Sequence, residues 1–228
     1  MHKQFKYVGL FLAFSINNAL ATESVDVRVI GTIAPSACVL MLTGGGVVDY
    51  GAIKPETLSE DDFNVLAGKK LDLSINCAAP TMVALKSVNS RPTKQAGQVS
   101  ASGEEVVSKI PFVKASNIPF IIQDDEGGEE IGGYTLSLSD SLVDGEKATL
   151  LMHNIGESTW HVNESKAIVN NNTELLTTWG TKNTTTPKAF EMLSATLNVQ
   201  SYLNKGSALD RTRPIMLDGM STLELYYL

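Results

Sequence analysis

Residues 25–33 read Val25-Asp26-Val27-Arg28-Val29-Ile30-Gly31-Thr32-Ile33. Val25, Val27, Val29 and Ile33 fall on one parity, and Gly31 takes the remaining slot. An extended chain sends alternate side chains to opposite faces, so this stretch predicts a strand with one apolar face and a gap at Gly31.

Upstream, His2, Lys3 and Lys6 make a basic start, residues 7–16 are apolar, and Ala19-Leu20-Ala21 has the small-x-small form of a cleavage site. This pattern predicts a secretory signal over residues 1–21, removed before Thr22. Its apolar stretch is too short to span a bilayer as a helix. No second long apolar run follows, so no membrane span is expected after cleavage. The 25 acidic and 18 basic residues give a net charge of −7, and two of the lysines fall in the leader. An acidic chain without a basic cluster argues against nucleic acid or anionic lipid as partner.

Cys38 and Cys77 are the whole cysteine content. In an exported chain an even pair predicts one disulfide rather than a redox pair, since the spacing is not Cys-x-x-Cys. Closing a loop of about 40 residues contributes roughly 4 kcal/mol in the chain-entropy model.

Short alternating runs recur along the chain. Residues 47–53 follow a Gly44-Gly45-Gly46 turn; Leu71, Leu73 and Ile75 alternate into Cys77; Val83 and Leu85 follow Pro80. Further runs lie at 118–122, 134–138, 148–153, 190–203 and 221–227. Such runs, separated by Gly, Pro, Asn and Asp, predict an all-β sandwich. Residues 89–108 and 163–188 are polar and are expected as surface loops, and Ser59–Asp62 as the cap of a short helix.

Several of these features together resemble the subunits of chaperone–usher fimbriae: the alternating valines with Gly31 seven residues before Cys38, the phrase Val48-Asp49-Tyr50-Gly51-Ala52-Ile53, Cys77 closing an alternating strand, and the ending Leu223-Glu224-Leu225-Tyr226-Tyr227-Leu228 with its penultimate tyrosine. The likeness covers the N-terminal third and the last ten or so residues, and is closest to an enterobacterial group of fimbrial-like proteins of uncharacterised role. It implies an immunoglobulin-like, pilin-type β-sandwich over residues 35–228 that lacks one strand, preceded by a donor-strand extension at residues 22–34. Val25, Val27, Val29, Gly31 and Ile33 would then fill a neighbouring subunit's groove by strand addition. Leu223, Leu225 and Tyr227 would border the chain's own groove and be held first by a periplasmic chaperone. An outer-membrane usher and other fimbrial subunits are the further partners implied, with export through the periplasm to a fimbrium at the cell surface. The alternative is a self-complemented, monomeric periplasmic binding or accessory protein whose own residues 25–33 close the sandwich.

The chain has no Gly-x-Ser-x-Gly elbow, phosphate loop or dinucleotide fingerprint. His153 and His161 do not meet a zinc spacing, and the run Asp124–Glu130 lacks the alternating acids of a calcium loop. No enzyme activity, metal or cofactor is expected. Trp160 and Trp179 are read as core residues rather than a sugar-binding face.

Overall fold

The computed structural model describes residues 27–31, 37–91, 109–112, 119–124, 129–154, 156–157, 159–170 and 174–228. By its internal contacts the chain divides into two units, residues 1–34 and 35–228. The expected signal, Val25 and Ile33 lie outside the described residues. Residues 27–31 do fall among them; they join no strand, and Val27, Val29 and Ile30 are exposed.

Residues 35–228 fold as two antiparallel sheets, and the chain is all-β. The strands are β1 (Cys38–Leu42), β2 (Asn64–Val65), β3 (Lys69–Thr81), β4 (Val83–Asn89), β5 (Phe120–Asp124), β6 (Glu130–Val143), β7 (Glu146–Lys147), β8 (Thr149–Asn154), β9 (His161–Val162), β10 (Leu175–Gly180), β11 (Phe190–Leu203), β12 (Leu217–Asp218) and β13 (Ser221–Tyr227). The larger sheet runs β1-β3-β11-β6-β5-β12, with β2 beside β11 and β7 beside β6; the smaller runs β13-β4-β10-β8-β9. Their inner faces bury Leu73, Ile75, Leu136, Leu138, Leu193 and Leu197 from the larger sheet against Val83, Leu85, Leu150 and Trp179 from the smaller. Trp179 meets Phe190 edge-on at 5.9 Å between ring centres, which ties the sheets together. A disulfide joins Cys38 to Cys77, directly opposite one another in the β1–β3 register.

The alternating runs at 190–203 and 221–227 become β11 and β13 with those bounds. Three expectations need correction. Residues 47–53 join no sheet: Gly44, Gly45, Gly46 and Gly51 all take positive φ, and the Asp49 side chain accepts a hydrogen bond from the Gly51 N–H at 2.7 Å. That local turn competes with any ladder. The polar stretch 163–188 is not one surface loop, because it contains β10, buried along its whole length. Its threonines are β-branched and suit a strand, and Thr178 Oγ1 donates to the Val83 carbonyl at 2.7 Å, so one buried hydroxyl is satisfied. The short helical turn near Ser59 lies just upstream, at Pro55–Thr57; Ser59 instead accepts a bond from the Asp62 N–H.

Gly132 and Gly133 let β6 and β11 approach closely. A Cβ on Gly132 would stand 2.1 Å from the Tyr202 carbonyl oxygen. Tyr202 itself faces outward from the larger sheet and is covered by Phe63, Ile110 and Phe112.

Candidate functional site

The two sheets do not close on each other everywhere. Among the described residues, β1 ends the larger sheet and pairs only with β3, and β13 ends the smaller sheet and pairs only with β4. Between these edges runs a groove of about 710 Å³. Its floor is the inner face of the larger sheet: Leu71, Leu136, Leu197, Val199 and Ile122, with Tyr134 and Ser201. Leu40 and Leu42 of β1 form one wall, and Leu217 with residues 219–223 form the other. No charged side chain lines it among the described residues.

The hydrogen-bond register shows what the edges present. Paired residues of an antiparallel ladder alternate between those that exchange main-chain bonds and those that turn these groups away. Ser90 N–H donates to the Met220 carbonyl at 2.9 Å and Leu228 N–H to the Met82 carbonyl at 3.1 Å. In the same register Thr222, Glu224 and Tyr226 bond β4, so Ser221, Leu223, Leu225 and Tyr227 turn their main-chain groups outward. On β1, Ala78 N–H donates to the Ala37 carbonyl at 3.1 Å. Val39 and Met41 therefore face β3, while Cys38, Leu40 and Leu42 turn outward. Cys38 bears this out: its N–H leaves the sheet and donates to Tyr227 Oη at 3.0 Å. The same residues on both strands thus send side chains towards the core and main-chain groups towards open edges.

Leu223 and Leu225 pack on the core, and Leu223 lines the groove. Tyr227 stands at one end, its hydroxyl bridging to β1. Of the three residues expected along the groove, Leu223 lines it and Leu225 and Tyr227 do not; β1 was not foreseen as a strand, although Cys38-Val39-Leu40-Met41-Leu42 is an unbroken apolar run. The floor residues lay in expected strands, but alternation alone does not tell a covered face from an uncovered one.

Of the two polar groups on the floor, Ser201 is engaged, while the Tyr134 hydroxyl is buried with no hydrogen-bond partner among the described residues. Tyr50 Oη donates to Ser201 Oγ at 3.0 Å. Burial pushes the Tyr134 phenol up to about 12, opposed in part by the Ser221 hydroxyl.

His153 and His161 lie elsewhere, at the β8–β9 edge. His153 Nε2 is 2.7 Å from the Glu157 carbonyl oxygen, and its ring lies against Trp160 at 5.0 Å. Glu157 is held below the usual carboxylate range by hydrogen bonds from the Asn154 side chain and main chain. Among the described residues no three His, Cys, Asp or Glu side chains are grouped to hold a metal, and no helix is long and apolar enough to cross a membrane. Residues 125–128 of the acidic run lie outside the described residues; Asp124 is buried and ion-paired with Arg213.

Comparison with known proteins gives a match over residues 27–135, a little under half of the chain, to the family described as a protein of unknown function, DUF1120. Protein GltF of Escherichia coli (strain K12) is 30% identical over 141 residues, which cover 57% of this chain and 54% of that protein. The uncharacterized protein YhcF of the same organism is 21% identical over 135 residues, covering 58% and 57%. The chain therefore aligns with little more than half the length of the curated relatives it matches.

Proposed function

We propose that this chain is a strand-accepting structural subunit of a chaperone–usher type surface fibre. One observation carries the reading: an apolar groove flanked by two strands whose outward main-chain groups lie beside inward leucines. An open edge of this kind invites another strand. The occupant needs an apolar face of alternating side chains, which residues 25–33 supply in the sequence. Burying four aliphatic side chains contributes roughly 6–12 kcal/mol gross, on the scale of a whole domain's stability. Such a head-to-tail contact does not close on itself and so builds fibres. In this reading a periplasmic chaperone fills the groove first and an usher oversees the exchange.

The test is deletion of residues 22–33. Heat-sensitive, detergent-resistant multimers in surface extracts are expected from the intact chain and should disappear on deletion, while the complex with a chaperone survives. Multimers that persist refute the donor role. A stable monomer on gel filtration of the intact chain, expressed alone in the periplasm, would favour the self-complemented alternative.

A further inference from the structure

The far end of the groove is filled by the chain itself. β1 stops at Leu42, opposite Leu73, while β3 continues back to Lys69. Beyond that point residues 47–50 lie against the groove, in place of a strand. Val48 packs on the core, Asp49 is exposed, and Tyr50 is half-buried with its hydroxyl on Ser201, itself 2% exposed on the floor. The Lys69 ammonium stands 5.5 Å from the centre of the Tyr50 ring, an added attraction. No ladder holds this segment. It is bounded by Gly44–Gly46 at φ of +62°, +64° and +78°, and it carries Gly51 at +64°. These are turns that rotate at small steric cost.

We propose that Val48 and Tyr50 form a gate, latched by the Tyr50–Ser201 hydrogen bond, which swings aside to admit an incoming strand and so sets its rate of entry. The gate rests on the strand-acceptor reading above. Its physical basis is exchange: the side chains at 48 and 50 alternate inward as a donor's would, so they hold the same apolar floor until a longer strand with main-chain bonds displaces them. A latch of one neutral hydrogen bond is weak enough to open and strong enough to measure.

The test uses the purified exported chain and a fluorescent peptide of residues 22–34, with association followed by stopped-flow anisotropy. Tyr50→Phe keeps the ring and removes the bond; Ser201→Ala removes it from the other side. Each should raise the association rate constant roughly threefold to tenfold, the effect of losing one net hydrogen bond. Because both delete the same bond, the double variant should be no faster than either single one. Thermal unfolding checks that each variant is folded, and either single variant suffices if the other is not. A peptide that binds the parent and the variants at the same rate overturns the gate alone. A peptide that binds none of them overturns the strand-acceptor reading and the gate with it.

Discussion

Strand β11 has β3 on one side and β6 on the other, whereas β13, among the described residues, has β4 on one side only. Both are alternating runs of similar composition, and both send one parity to the core. In β11 that parity, Leu193, Ala195, Leu197, Val199 and Ser201, is buried throughout. In β13 the equivalent residues, Leu223 and Leu225, are half-buried. The other parity differs as well: Tyr202 is roofed by Phe63 and Ile110, and Tyr226 stands exposed. Alternation therefore specifies a face; whether the edge and the face are covered depends on what else the chain brings alongside.

The largest effect should come from breaking the interior strand's close approach. Gly132→Ala sets a methyl group against the Tyr202 carbonyl, and the backbone cannot yield without parting β6 from β11. A loss of more than about 4 kcal/mol is expected in urea denaturation, with poor accumulation of the chain. Next in size is Leu197→Ala, which empties a buried position on the groove floor and should cost about 2–5 kcal/mol.

Alkaline pH tests the same interior. A phenol at about 10 in the unfolded chain and about 12 in the folded one makes folding favour the protonated form. Stability should be level below pH 10 and fall as pH rises through 12, by roughly 2–3 kcal/mol from Tyr134 alone. Tyr202, raised by its own burial, steepens the fall. Urea midpoints measured from pH 9 to 12 read the slope, and Tyr134→Phe should make it shallower. At the open edge the effects shrink. Leu225→Ala should cost about 1 kcal/mol, less than its interior counterpart because the side chain is half-buried. Tyr226→Thr, on the exposed parity, should stay within about 0.5 kcal/mol. Equal losses at Leu197 and Leu225 would mean that β13 is as enclosed as β11, contrary to the groove.

Much of the fold was legible because β11 and β13 carry their period openly, and because two cysteines leave one pairing. β10 was hidden by composition: Thr177 and Thr178 read as loop residues until the Val83 carbonyl supplies Thr178 with a partner. β6 was read only over 134–138; at its start Gly132 and Gly133 look like a break in the sequence and act as a contact in space, and beyond 138 Ser139, Asp140 and Ser141 interrupt the apolar alternation. The phrase 47–53 alternates as a strand would, but its glycines turn it out of the sheet. Beside the candidate site, strand β13 was legible and strand β1 was not, because an unbroken apolar run of five has no period to read.

The bond from Cys38 to Tyr227 spans 189 positions of sequence. One flank of the cleft is thus made long before the other in synthesis. A nascent or truncated product that stops short of Ser221 has no recess to offer, however well its remaining strands have formed. Under the strand-acceptor proposal, a product lacking β13 would offer a single bare edge where the longer chain offers a two-walled cleft.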